Sequence, residues 1–125
     1  MKTKIVTTDA PPATGPFSQA IICDSLIFTS GQIALTQNGK LIEGSTEEQI
    51  LQIMKNLDAI LTASGVSFID VVKTTIYVTD MSIYSKVNEV YATFMKEPFP
   101  ARETICVKAL PLGALIEISM VAIKN

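Results

Sequence analysis

The sequence predicts an α+β domain in which two helices pack on one face of a mixed β-sheet. Three observations lead there. Apolar residues recur at helical spacing from Ser45 to Gly65 and again from Asp80 to Pro98, while β-branched runs stand before, between and after them. The order reads as β-hairpin, helix, strand, helix, strand, strand. The later strands carry apolar residues at both parities, so the sheet face that the helices leave free needs a cover, and copies of the same chain are the economical choice.

Ile5 to Thr8 reads as a short edge strand. Ala10-Pro11-Pro12-Ala13-Thr14-Gly15-Pro16 then forms a shaped loop, since its prolines and glycine suit neither a helix nor a central strand. Ser18 to Ile22 and Ser25 to Ser30 form a hairpin parted by Cys23-Asp24, and the second arm ends at Gly31. Asn38-Gly39 marks a tight turn, after which Leu41-Ile42 returns briefly. Ser45 and Glu48 make a capping box for a helix whose buried face is Ile50, Ile53, Met54, Leu57, Ile60 and Leu61, with Gly65 as the stop. Val71 to Val78 is a strand. Asp80 or Ser82 caps a second helix, with Ile83, Val87, Val90, Tyr91 and Phe94 on one face until Pro98. Glu103 to Ala109 and Leu115 to Ile123 are the last strands, joined by Leu110-Pro111-Leu112-Gly113.

A chain of 125 residues fits one domain, residues 1–125, with no internal repeat or linker. Its net charge is -2 and its ten Lys and Arg are scattered, which argues against nucleic acid as a partner. The absence of His excludes a His-based metal site and a Ser-His-Asp triad. No apolar run has membrane-spanning length and the N-terminus lacks a long apolar signal, so a soluble, cytoplasmic protein with reduced thiols is expected.

Two charges stand out among apolar neighbours. The period of two in Arg102-Glu103-Thr104-Ile105-Cys106-Val107 puts Arg102, Thr104 and Cys106 on one face. The planar fork of Arg102 suits a carboxylate, or else it forms an internal salt bridge to Glu117 or Glu103. Glu117, flanked by Leu115, Ile116 and Ile118, is either a part-buried carboxyl with a raised pKa, fit to deprotonate water, or an edge residue facing solvent. Cys106 is a nucleophile if Arg102 or a helix terminus lowers its pKa, and otherwise a buried structural thiol. Cys23 has no functional reading. Phe17 and Tyr84 read as core or interface aromatics, and the loops around Gly15 and Gly31 lack phosphate-cradle spacing.

Gly15-Pro16-Phe17-Ser18-Gln19-Ala20, Thr29-Ser30-Gly31-Gln32-Ile33, Val87-Asn88-Glu89-Val90-Tyr91, Pro100-Ala101-Arg102 and the stretch Leu110-Pro111-Leu112-Gly113-Ala114-Leu115-Ile116-Glu117-Ile118 together resemble the RidA (YjgF) family of enamine/imine deaminases. The resemblance covers almost the whole chain. It implies a chorismate-mutase-like fold of the Bacillus type and a homotrimer with sites in the clefts between neighbours. It further implies hydrolysis of small 2-imino acids such as 2-iminobutanoate or 2-iminopropanoate, without metal or cofactor and without nucleic acid or membrane as partner. Arg102 would hold the carboxylate and Glu117 would activate the water. Phe17, Ser30, Gly31, Tyr84, Asn88, Thr104 and Cys106 would shape the pocket, with backbone groups contributing at Gly31 and Thr104. Many members carry Tyr where this chain has Phe17, and some carry Cys where it has Thr104. Loss of that Tyr hydroxyl supports a second reading, a non-enzymatic ligand-binding or regulatory trimer that partners another protein.

Overall fold

Ser45 opens the longer helix, α1 (Thr46–Ala63). Its hydroxyl accepts the Glu48 N–H at 3.1 Å while the Glu48 carboxylate accepts the Ser45 N–H at 3.2 Å, so two backbone donors that the helix leaves unpaired are satisfied reciprocally. Gly65, at φ +86°, ends it in the left-handed conformation that a side chain resists. Between these caps Ile50, Ile53, Met54, Leu57, Ile60 and Leu61 are fully buried. Each contributes roughly 1.5–3 kcal/mol by leaving water. The computed structural model describes residues 1–125.

The helix packs on a six-stranded sheet of β1 (Lys2–Ile5), β2 (Ala20–Cys23), β3 (Leu26–Thr29), β4 (Val71–Val78), β5 (Ala101–Cys106) and β6 (Ile116–Ile123), in the order β1-β2-β3-β6-β4-β5. Neighbours pair antiparallel except β4 and β5, which are parallel and joined through the second helix, α2 (Tyr84–Ala92). A parallel pair needs such a crossover, and it sets α2 beside α1 on the same face. Ile27, Ile76, Val78, Ile116, Ile118 and Met120 point into the core beneath the helices.

No element covers the opposite face. Leu26, Phe28, Lys73, Thr75, Tyr77, Ile105, Glu117, Ser119, Val121 and Ile123 lie there by alternation from the buried set. Phe28 remains 43% exposed and Ile105 41%, so large apolar side chains stand in water on this face. No helix is long and apolar enough to cross a membrane.

The α+β reading holds, and its element boundaries move. The first strand is Lys2–Ile5 and not Ile5 to Thr8, because the Thr7 N–H goes to the Gln19 side chain at 2.8 Å and leaves the ladder. The hairpin turns at Asp24-Ser25, with Asp24 at φ 54°, one residue later than expected. Leu41 makes only an isolated bridge to Leu35. Asp80 caps a single turn, Met81–Ile83, and α2 proper follows from Tyr84. That helix stops at Ala92, well before Pro98, where the Thr93 hydroxyl bonds back to the Val90 carbonyl at 2.6 Å and competes with the helical ladder. β5 begins at Ala101 and ends at Cys106, earlier at both ends than Glu103 to Ala109.

Ser45→Ala removes half of the α1 capping box, and it should lower unfolding free energy by about 1 kcal/mol in a urea titration without changing the slope. An unchanged midpoint would mean that the cap contributes nothing here.

Candidate active site

The register of β5 decides where Arg102 goes. Thr104 stands opposite Ile76, and Arg102 opposite Thr74, so Arg102, Thr104 and Cys106 share the helix-covered side of the sheet. Because β5 is the last strand, α2 covers that side only in part, and Arg102 lies between the helix and the free edge. Its Nη2 donates to the Asn88 carbonyl and, at 3.3 Å, to the Tyr84 hydroxyl. The guanidinium carbon is 5.9 Å from the Tyr84 ring centroid and 5.2 Å from that of Tyr91. Tyr84, Asn88 and Tyr91 recur at i, i+4 and i+7, so one stripe of α2 holds the cation. Tyr91 in turn donates to the buried Thr74 hydroxyl at 2.9 Å, and burial pushes its pKa up, keeping it a neutral donor. A recess of about 330 Å³ opens here, lined by Asn88, Tyr91, Ala92, Phe99, Pro100 and Arg102.

Arg102 forms no internal salt bridge. Glu103 points to the other face and pairs with Lys73 at 2.7 Å, and Glu117 lies on that face too. Tyr84 is accordingly no simple core aromatic, since its hydroxyl meets the guanidinium. Cys106 is exposed at the end of β5, which removes the reading of it as a buried structural thiol.

Glu117 stands opposite Tyr77 on the open face. Next to it, Gln32 and Ile118 exchange backbone hydrogen bonds of 2.8 and 3.0 Å, and this bridge presses Gly31 against the carboxylate. A Cβ on Gly31 would sit 2.7 Å from the Glu117 Cδ, closer than real atoms approach, so only glycine lets the carboxylate lie there. Burial raises the Glu117 pKa above its ordinary value of 4.5, and no cation of the same subunit pairs with it.

The loop bearing Phe17 is tied to this half. The Ser30 hydroxyl donates to the Ser18 carbonyl, and the Ser30 N–H to the Gln19 carbonyl at 2.9 Å. Ser30 thus commits its proton to the loop and acts here as a brace. The Gln19 amide, 4% exposed, accepts from Thr7 N–H and donates to the carbonyls of Thr7 at 3.0 Å and Pro11 at 2.8 Å. Phe17 itself projects outward, 55% exposed. A larger recess of about 510 Å³ lies beneath this loop, between Lys4 and Gln37. It contains neither Arg102 nor Glu117, so size does not identify the site.

The structure therefore gathers the sequence-derived residues into two groups. Arg102, Tyr84, Asn88, Thr104 and Cys106 lie on the helix side, at the β5 edge. Glu117 and Gly31 meet at the open face, and Ser30, next to Gly31, ties the loop that bears Phe17 to that half. Within one subunit the two groups do not meet. Tyr91 and Gln19 were not singled out from sequence. The spacing of Tyr91 from Asn88 and Tyr84 could have found the first, whereas the role of Gln19 depends on contacts with distant backbone. No cluster of three His, Cys, Asp or Glu side chains exists that could hold a metal ion.

The sequence model for the endoribonuclease L-PSP family matches residues 7–124. The chain belongs to this family, the RidA (YjgF) family. It is 46% identical over 124 residues to an Arabidopsis thaliana protein named Reactive Intermediate Deaminase A, chloroplastic, covering 98% of this chain and 66% of that one. It is 45% identical over 122 residues to the human protein named 2-iminobutanoate/2-iminopropanoate deaminase, covering 97% and 89%. Among solved structures, yeast Mmf1 superposes with a TM-score of 0.97 at 33% identity over 100% of both chains. Escherichia coli TdcF, solved with bound serine, gives 0.92 at 32% identity over 98% of this chain and 99% of that one. The RidA-family assignment thus spans the sheet, both helices and both residue groups.

Gly31→Ala should force the Glu117 carboxylate aside, since the clashing atoms belong to a movable side chain, while the melting temperature changes by only a few degrees. If Glu117 has the role argued below, turnover falls about tenfold or more with it. Unchanged turnover would separate the Glu117 position from the chemistry.

Proposed function

We propose that this chain is a hydrolytic deaminase of small 2-imino acids, 2-iminobutanoate and 2-iminopropanoate among them, working as a homotrimer whose sites lie between subunits. The observation that carries the reading is the division of the site. An anchoring cation and a basic carboxylate occupy opposite faces of one sheet, so a second copy seated on the open face is needed to bring Arg102 of one subunit to Glu117 of another. The names carried by the human and Arabidopsis relatives support the substrate class.

In this mechanism the Arg102 guanidinium holds the substrate carboxylate, steadied by Asn88, Tyr84 and the Tyr91 ring. The Glu117 carboxylate accepts a proton from water as the water oxygen bonds to the C=N carbon and the π pair moves to nitrogen. The same proton then passes to the nitrogen of the tetrahedral adduct; the Glu117 carboxylate next carries the proton of the adduct hydroxyl to that nitrogen, the oxygen pair closes the C=O bond as the C–N bond breaks, and ammonia leaves with a 2-keto acid. A carboxylate whose pKa is raised by burial is a stronger base toward the proton of water. A cytoplasmic location belongs to this proposal and is consistent with the two free thiols. An RNA-cleaving reading has less support, because the chain lacks His and has a net charge of -2.

The test is 2-keto acid release in a threonine dehydratase reaction, with semicarbazide competing for the free imine. Arg102→Ala should lose about a hundredfold or more in kcat/KM and Glu117→Gln a comparable amount in kcat. Mixed subunits of the two inactive variants should then recover roughly a quarter of wild-type rate, one half times one half of the sites having both groups. Recovery at background level would overturn the shared site. With Glu117 raised by burial and required as the carboxylate, the wild-type rate should fall as pH drops through a value above 4.5, and Glu117→Gln should remove that limb.

A further inference from the structure

The recess beside Arg102 holds more space than the anchoring of a carboxylate needs. Its volume of about 330 Å³ falls within the roughly 300–1,000 Å³ of pockets that enclose whole small ligands. Within it the Asn88 carbonyl accepts from Arg102 Nη2, and the Tyr91 hydroxyl donates to Thr74. The donors left over belong to Arg102 and Asn88. The rest of the wall is apolar, made by the Ala92 methyl, the Pro100 ring and the Phe99 ring.

Phe99 stands out in that wall. It is 58% exposed, so its ring takes little of its hydrophobic stabilisation from the fold. A single exposed aromatic needs no explanation on an open surface, but this one stands in the recess that also holds the cation. Pro100 confines the Phe99 backbone to the extended region, and Pro98 stiffens the chain on its other side. A ring on so restricted a segment loses little freedom when a ligand packs on it. Ala92, the last residue of α2, contributes only a methyl and leaves the space beside the ring open. A 2-imino acid bound through its carboxylate, with its reacting carbon turned to the carboxylate of another subunit, still has a hydrocarbon substituent to place.

Resting on the reading that Arg102 anchors a carboxylate, we propose that the wall formed by Phe99 and Ala92 receives the hydrocarbon substituent of the ligand and sets a preference for 2-oxo and 2-imino acids with longer unbranched chains. Full burial of one methylene is worth about fourfold in affinity. The recess is open to water on one side, so about twofold per methylene is expected here.

The experiment titrates the full-length chain and its Phe99→Ala, Phe99→Leu and Ala92→Leu variants calorimetrically with 2-oxopropanoate and 2-oxohexanoate, stable 2-keto acids that differ by three methylenes. Wild type should bind the longer acid about tenfold more tightly. Phe99→Ala should cut that preference to about twofold by removing the wall, and Ala92→Leu should cut it likewise by filling the space. Phe99→Leu keeps an apolar wall and should retain about half of the preference or more. Equal affinity of wild type for the two acids overturns the proposal, as does a preference that survives both Phe99→Ala and Ala92→Leu. A loss of mass in light scattering for Phe99→Ala and Phe99→Leu alike would assign the ring to a subunit contact and overturn it too. If the preference depends on Phe99 yet wild type does not accelerate keto acid release, the apolar wall stands and the hydrolysis reading falls. If Arg102→Ala binds both acids as wild type does, the anchoring reading and the proposal fall together.

Discussion

Arg102 is held where α2 meets the free edge of β5, and that placement rests on the crossover joining β4 to β5. A parallel pair cannot be closed by a tight turn, so the chain must leave the sheet, run back as a helix and return. The returning helix brings Tyr84, Asn88 and Tyr91 over the first residues of β5. A charged side chain there is lodged between aromatic rings and an amide, which limits its rotamers before any ligand arrives. Such restriction is what makes a cation a directional anchor and not a diffuse charge. The same crossover fixes the parity of β5, and with it the separation of Arg102 from Glu117.

The other half is stiffened differently. Around Glu117 the supports are hydrogen bonds made by irregular segments: Gln32 with Ile118 of β6, Ser30 with Ser18 and Gln19, and Gln19 with Thr7 and Pro11. Loops carry backbone groups that a strand would have paired, and buried ones must find substitutes. A single buried glutamine amide satisfies several of them together. The Pro-rich loop is thereby tied to the strand that follows it, and Phe17 extends from a fixed base. A helix face thus holds the cation, while braced loops pack against the strand that carries the carboxylate.

Much of this was legible in the residues. The α1 cap, its buried face and its glycine stop are local signals, set by neighbours three or four positions away, and they appear where the pattern puts them. The apolar content at both parities of β4 and β6 likewise announced a sheet face without cover. The boundaries that moved did so for reasons that apolar spacing does not carry. β1 ends early because a side chain twelve positions away takes the Thr7 N–H, and α2 ends early because a threonine hydroxyl returns to its own helix. The faces of Arg102 and Glu117 were beyond sequence altogether. Each strand's alternation was readable, but which parity meets the helices depends on register between β5, β4 and β6, and a shift of one residue reverses it.

Three features of the isolated subunit are unfavourable. Glu117 is partly desolvated without a cation, Thr104 holds a buried hydroxyl without a partner, and Phe28, Ile105 and Leu26 leave apolar surface on the uncovered face. Scattered through a fold, such features would simply weaken it. Divided between the open face and the β5 edge, they describe surfaces that a second copy can complete. In the proposed assembly a neighbouring copy takes the apolar face out of water and brings the cation of one subunit toward the carboxylate of the next. The surface that holds the copies together is then continuous with the surface that binds substrate. On that proposal the assembly is part of the active site, and a substitution that loosens the open face weakens turnover even when it touches neither Arg102 nor Glu117.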